Sequence, residues 1–289
     1  MVNKSINYVY TPQQLRKAYG VDLITPLNTQ GAGITIAVII AYSYPNLQRD
    51  FNTYCTRFNL PALTLDIRKM ASRISFNSGW ALEECLDVQM VHTMAPYANI
   101  MVVEAASASI SALNSAIIYA VNNGANIITM SYGASEFIGQ NIYNTVYTNK
   151  QVCYLAWAGD TTATVEIPSA YPNVMSVGGT SLYLDGSGNR TTPETTWSNG
   201  GCGVSKYVNR PTYQNVLSVT KRNCCDISLD ANPATGVIVY YSGNWYAIGG
   251  TSASCPMMAG ILAIANQKRR AIYKSFLTTV DGADNNVLA

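Results

Sequence analysis

Ser252 lies in the run Gly249-Gly250-Thr251-Ser252-Ala253-Ser254-Cys255-Pro256. Before it comes a β-branched stretch, Val237-Ile238-Val239-Tyr240-Tyr241, and after it Met257 to Arg270 carries apolar residues at helical spacing. Two glycines between a strand and a helix permit a tight turn with backbone close to a ligand. A serine at a helix entry meets free N–H groups and the positive end of the helix dipole, and both favour developing negative charge. Pro256 is expected in the first helical turn, where its missing N–H is harmless. Such a serine is placed to attack a carbonyl and to have the resulting oxyanion held. The plainer alternative is a serine that caps a buried helix.

A nucleophilic serine needs a base, a group that orients the base, and oxyanion donors. The chain has one histidine, His92, late in a helical stretch and followed by Thr93-Met94-Ala95-Pro96. No His-Gly-Thr-His motif surrounds it, and it reads as an ordinary helix residue. Carboxylates are the other source of a base. Glu83 and Asp87 are four residues apart, so on a helix their side chains meet on one face. Asp226 and Asp230 repeat that spacing. A solvated helix face would explain Glu83 and Asp87 equally by spacing alone, but Trp80, Ala81, Leu82, Cys85, Leu86 and Val88 leave little polar surface around them. Two carboxylates in a low-dielectric cleft share a proton, and their pKa values separate. Glu83 could then take the Ser252 proton while Asp87 holds Glu83, in the acidic range where one of the two is ionised. Asp160 follows Ala158-Gly159 at a strand end; kept protonated, it could donate to an oxyanion, and otherwise it caps the next segment.

These residues need a scaffold that brings them together. A short capped helix is expected at Thr11–Gly20, a strand at 34–40, helices at 48–58 and 78–94, a strand at 99–104 and a helix at 109–123 closed by Gly124. Further strands are expected at 126–131, 152–158 and 174–177, with a helix at 137–148; the stretch 182–242 reads as loop-rich. Alternating strands and helices call for an α/β fold with a parallel sheet covered on both faces. In such sheets ligands sit beyond the carboxyl ends of the strands. The loops after Ser131 and Ala158 and the turn at Gly249 are therefore the places to look.

At 289 residues the chain can bury a large core. No compositional shift marks a linker, so one domain over 1–289 is expected. Hydrophobic residues make up 48%, charged residues 12%, and net charge is +2. The one basic run, Lys268-Arg269-Arg270, gives no surface for nucleic acid. The longest apolar run, Ile34 to Tyr42 with Thr35 inside it, is too short for a membrane helix. Met1-Val2-Asn3-Lys4-Ser5 lacks the apolar core of a secretory signal. Seven cysteines leave at least one unpaired; Cys224 and Cys225 could each reach Cys202, and the absence of a CxxC pair argues against structural zinc. Sequons at Asn3 and Asn189 matter only if the protein is exported.

With these residues in view, the chain resembles the sedolisin family, the serine-carboxyl peptidases, along nearly its whole length. Gly250 to Pro256 matches the family's nucleophile motif, Glu83-Glu84-Cys85-Leu86-Asp87 its Glu-x-x-x-Asp helix, and Gly159-Asp160 its oxyanion turn. Tyr10-Thr11-Pro12, Met94-Ala95-Pro96, Ser131-Tyr132-Gly133, 168–179, 197–203, Arg210-Pro211 and 226–236 fit in order. The subtilisin pattern requires an Asp after the first strand, a His-Gly-Thr-His motif and an oxyanion Asn; here stand Ile40-Ala41-Tyr42, no such motif, and Asp160.

The resemblance implies a subtilisin-like three-layer αβα fold with a mostly parallel central sheet. It implies Ser252 as nucleophile, Glu83 as general base and acid, Asp87 as its partner, Asp160 at the oxyanion hole, and Ser131, Tyr132 and Gly133 in the substrate cleft. The expected activity is cleavage of polypeptide substrates, endo or tripeptidyl, through an acyl-enzyme, with a maximum below pH 5. Two features depart from the family. No prosegment stands in the sequence, and Asp281-Gly282-Ala283-Asp284 is only a fragment of the family's calcium site, so weak or no calcium binding is expected and no cofactor is assigned. A catalytically idle scaffold or particle component is the alternative from another class, and a cysteine hydrolase using Cys85 or Cys255 with His92 a third. The oligomeric state is left open.

Overall fold

The computed structural model describes residues 9–289. The Asn3 sequon and the Met1–Ser5 segment lie outside the described residues. Seven strands form a parallel sheet: β1 (Thr35–Ala41), β2 (Asp66–Lys69), β3 (Asn99–Ala105), β4 (Ile127–Met130), β5 (Cys153–Trp157), β6 (Val174–Ser181) and β7 (Ile227–Asp230). Their spatial order is β7-β6-β5-β4-β1-β3-β2, with the short strand Thr195–Thr196 antiparallel on β6. β1 sits inside the sheet between β3 and β4, which its unbroken apolar sequence requires, because both faces are covered. Ile36, Val38 and Ile40 enter one core cluster, and Ala37, Ile39 and Ala41 the other.

The first cluster carries α2 (Leu47–Phe58), α3 (Ser78–Met94) and α5 (Thr251–Ala271); the second carries α4 (Ile110–Asn122). The layers are therefore helix, sheet, helix, as expected. α1 (Pro12–Ala18) is held by a reciprocal capping box between Thr11 and Gln14. α4 begins on a Ser109 cap and is followed by Gly124 at a φ of 87°.

α3 is the unusual helix. From Glu84 to Met94 every residue is buried, including Glu84, Asp87, Gln89, His92 and Thr93. It packs on α5 below, and on α2 and the hairpin β8 (Val237–Tyr241) and β9 (Asn244–Ile248). A helix enclosed on all sides loses its polar stripe, which removes the solvated-face explanation of Glu83 and Asp87. Gly260 sets the contact with α5: a Cβ there would lie 2.6 Å from the Met94 Cβ.

Several expectations are corrected. α5 starts at Thr251, so Pro256 stands in its second turn rather than its first. The strand at 237–241 does not lead directly into the serine turn: it folds back as the β8–β9 hairpin, apart from the central sheet. The segment 137–148 forms a 3-10 stretch at Gln140–Val146, where Asn and β-branched residues disfavour a regular α-helix. Within 182–242 the chain forms an antiparallel pair, Gly203–Asn209 with Lys221–Cys224, and the edge strand β7. β2 also went unforeseen; its sequence, DIRK, is mostly polar, as suits an edge.

Candidate active site

Ser252 is the second residue of α5 and is 4% exposed. Its amide is among the first four N–H groups of the helix, which have no intrahelical acceptor. Gly250 precedes the helix at a φ of 109°, in a conformation L side chains rarely adopt, and a Cβ there would fall 2.7 Å from Asp160 Oδ2. Pro256 has no N–H to offer the carbonyl four residues back, so Ser252 C=O lacks its helical partner. The Ser131 hydroxyl, just beyond β4, stands 3.4 Å from that oxygen.

Glu83 and Asp87 meet this serine from the first turns of α3. The Glu83 carboxyl lies close enough to the Ser252 hydroxyl for that hydroxyl to act on its ionisation. Asp87 is 0% exposed, and its Oδ1 accepts from Ser131 Oγ at 2.6 Å. One oxygen of each acid, Glu83 Oε1 and Asp87 Oδ2, is buried without a hydrogen-bond partner. Burial pushes both carboxyls above the usual range. For Glu83 the neighbouring Ser252 hydroxyl opposes this and the nearby Asp160 adds to it; for Asp87 the charge of Glu83 adds to it. Two orphaned carboxyl oxygens on one helix face, whose groups influence each other electrostatically, form a pair over which a single proton would relieve the repulsion.

Asp160 follows β5 through Gly159. Its Oδ1 accepts from Thr251 N at 2.7 Å and from Thr251 Oγ1 at 2.8 Å, while Gly159 N donates to Thr251 Oγ1 at 3.1 Å. It thus caps the distant helix α5 rather than the segment that follows it, and its other oxygen stands over Gly250.

Of the three cleft residues, Ser131 is buried beneath Asp87 and Gly133 is exposed. The Tyr132 ring packs against Trp80 at 6.1 Å, with its hydroxyl buried and unpartnered near Asp87. A cavity of about 170 Å³ opens beside Tyr132, Gly133 and Ala134, walled by Trp80, Tyr143 and Tyr171 among others. Thr251 and Trp80 were not singled out as site residues beforehand. Thr251 had a signal in its place between Gly250 and Ser252; Trp80 had only its position one turn before Glu83.

The other candidates fall elsewhere. His92 is buried, with Nε2 2.8 Å from Pro61 O and the ring edge-on to Phe51; burial pulls its pKa down to about 4. Cys85 and Cys255 are buried and their thiols are pushed upward by desolvation, the reverse of what a thiolate nucleophile needs. Asp226 is bound by Arg222, and Asp230 Oδ1 by Leu182 N and Thr235 Oγ1, in extended chain where a spacing of four does not bring side chains together. Asp281 spends its carboxylate on Thr212, accepting from N at 3.0 Å and Oγ1 at 2.5 Å, and no group of three His, Cys, Asp or Glu that could hold a metal occurs among the described residues. The 281–284 segment does not fit the oxygen cage that calcium takes. No helix among the described residues is long and apolar enough to cross a membrane.

Residues 27–279 match the Subtilase family. Among curated relatives, sedolisin of Pseudomonas sp. (strain 101) is 39% identical over 114 residues, covering 35% of this chain and 19% of that protein. Kumamolisin of Bacillus sp. (strain MN-32) is 32% identical over 217 residues, 63% of this chain and 39% of that one. The chain thus spans well under half the length of these relatives. Among solved structures, a Pseudomonas sedolisin described as a serine-carboxyl proteinase superposes with a TM-score of 0.80 at 24% identity, over 94% of this chain and 84% of that one. Sphericase aligns with a TM-score of 0.61 at 17% identity, over 94% and 88%. The chain belongs to the subtilase family, and within it is sedolisin-like.

Proposed function

We propose that this chain is a serine-carboxyl peptidase, acting as one catalytic domain, that cleaves polypeptides at acidic pH through an acyl-enzyme on Ser252. The observation that carries the proposal is a buried Glu83 carboxyl set against Ser252, with Asp87 one turn further along α3 and bonded to Ser131, in a site where the one histidine is engaged elsewhere. Ser252 Oγ attacks the peptide carbonyl while its proton passes to Glu83, whose charge Asp87 and the shared proton hold in place. The oxyanion forms at the N-terminus of α5, beside the Ser252 amide and the Asp160 carboxyl. Glu83 then gives its proton to the departing amine. In the second half a water gives a proton to Glu83 and attacks the acyl carbon, and Glu83 returns that proton to Ser252 Oγ as the acyl–oxygen bond breaks.

The competent form is the acid pair carrying a single proton. Full ionisation and full protonation each remove the competent pair, so a bell-shaped profile is expected, and the likeness to sedolisin supports an acidic maximum. The test is mass-spectrometric detection of peptide cleavage products at acidic pH. Cleavage by the wild-type chain and none by Ser252→Ala is expected. A folded wild-type chain that cleaves no peptide would instead make it an idle scaffold.

A further inference from the structure

All seven cysteines are free, and five of them, Cys55, Cys85, Cys153, Cys224 and Cys255, are buried. The two that reach the surface, Cys202 and Cys225, adjoin opposite strands of the antiparallel pair Gly203–Asn209 and Lys221–Cys224. Gly203 pairs with Cys224 at the end of that ladder, so the next residues outward are Cys202 and Cys225. Facing residues of an antiparallel ladder have Cα atoms about 4.5–5.5 Å apart. A disulfide bridges that separation. Cys202 is also close enough to Cys225 to act on its ionisation. Spacing made Cys224 an equal candidate for Cys202; the ladder favours Cys225, because Cys224 is buried with its Sγ 3.7 Å from Ser169 O.

The two cysteines stand on different supports. Cys225 precedes Asp226, whose N donates to Ser176 O at 2.8 Å and whose Oδ2 accepts from Ser176 N at 2.7 Å, so it is bound to β6. Its Sγ rests over Gly178, where a Cβ would fall 2.3 Å away, and lies 3.2 Å from both Ser228 Oγ and Ile227 O. An S–H is a weak donor, so leaving those contacts costs little. Cys202 follows Gly201, whose N donates to Gly159 O at 2.7 Å and where a Cβ would stand 2.0 Å from Ala158 O. It therefore ends the segment that lies on the Ala158-Gly159-Asp160 loop. A bond between the two sulfurs would tie that segment to β6.

We propose that Cys202 and Cys225 are a redox-active pair that a low-molecular-weight disulfide, such as oxidised glutathione, converts to an intramolecular disulfide. The exposed Cys202 thiolate attacks one glutathione sulfur, and the first glutathione leaves as a thiolate. The Cys225 thiolate then attacks the Cys202 sulfur, the mixed disulfide breaks, and the second glutathione leaves. The two cysteines lose two electrons, the glutathione disulfide gains them, and both cysteine protons pass to the departing thiols. Burial holds back the ionisation of Cys225, which suits it to the second attack rather than the first. The new bond closes the stretch 202–225 as a loop. That restricts the unfolded chain and fixes the backing of the Asp160 loop in the folded one.

The test holds the folded chain at pH 8 in oxidised or reduced glutathione, then unfolds it in iodoacetamide and maps its peptides by mass spectrometry, beside a thermal melt of each sample. In oxidised glutathione a Cys202–Cys225 link is expected, with a melting temperature about 5 °C above that of the reduced chain. Dithiothreitol should reverse both. Cys202→Ser and Cys225→Ser should each abolish the link and the rise. A link that persists in Cys225→Ser, through Cys224, overturns the proposal. So does Cys202 halted at its glutathione adduct, a disulfide-linked dimer of two chains, or both thiols alkylated after oxidised glutathione. A link that forms without raising the melting temperature also overturns it. None of these readouts depends on peptidase activity.

Discussion

α3 carries enclosed polar residues in both halves, yet the two halves differ in what those polar atoms touch. Toward the carboxyl end, Gln89 donates to Tyr240 O at 2.8 Å and accepts from Tyr240 N at 2.9 Å, Thr93 meets Tyr54 at 2.8 Å, and His92 Nε2 meets Pro61 O. These contacts bind the helix to the hairpin, to α2 and to the chain beyond α2. Toward the amino end, Glu83 and Asp87 keep one oxygen each without a partner, at the point where the helix faces Ser252. A satisfied buried group adds stability; an unsatisfied one detracts from it and persists where chemistry uses it. Burial alone does not mark a functional residue. Nor does an unpaired atom by itself, since His92 Nδ1 and Glu84 Oε1 on the same helix also lack partners; two unpaired carboxyl oxygens beside a serine do.

Substitutions at the two ends should therefore separate activity from stability. The largest effect is expected from Ser252→Ala, a loss of activity on the order of 10⁴-fold or more, with little change in thermal stability. Glu83→Gln is expected to cost about 10³-fold, and Asp87→Asn somewhat less, on the order of 10²-fold, because it orients the base without receiving the serine proton. Neither should lower the melting temperature, since each removes an incompletely bonded carboxylate from the interior. At the other end, Gln89→Leu leaves Tyr240 N and O unpaired and should cost about 1–3 kcal/mol of stability, measured by denaturant unfolding, while kcat of the folded fraction holds. If Gln89→Leu lowered activity as much as Asp87→Asn does, the contrast between the two ends would fail.

The smallest effect is a pH dependence of stability. Glu83, Glu84, Asp87 and Asp230 are all raised, foremost by desolvation. A raised folded pKa means the folded chain holds those protons more tightly than the unfolded chain. Their contribution is complete below the unfolded values and is lost as pH rises through the folded ones. His92, lowered to about 4, acts oppositely: it favours the folded state above its unfolded pKa and ceases to as pH falls toward 4. Four acids against one imidazole should give a melting temperature higher at mildly acidic pH than at pH 8. A higher melting temperature at pH 8 would contradict these burial effects.

Much of this was legible in the residues. β-branched runs marked the buried strands, since a strand covered on both faces leaves no room for alternation, and Thr11, Ser109 and Gly124 marked helix ends through their capping chemistry. Glu83 and Asp87 could be paired by helical spacing, and Ser252 by its glycines. What the chain did not disclose depends on tertiary contact. The β8–β9 hairpin ahead of Ser252 turns at Ser242-Gly243, a signal masked by the surrounding loop-like composition. Pro256 suggested a helix start, yet the helix begins five residues earlier, because Asp160 from a distant loop caps it and Ser131 stands at the carbonyl that Pro256 leaves free. Spacing let Cys202 reach Cys224 or Cys225, and the one it faces appears only once Gly203 pairs with Cys224.

The central claim is that a carboxyl, and no imidazole, receives the Ser252 proton. The most direct measurement is the pH profile of kcat/KM for peptide cleavage from pH 3 to 8 in the wild-type chain, Glu83→Gln and His92→Asn. An acidic maximum that His92→Asn keeps and Glu83→Gln abolishes is the expected result. Activity that peaks near neutrality, or that survives Glu83→Gln and disappears with His92→Asn, would contradict it.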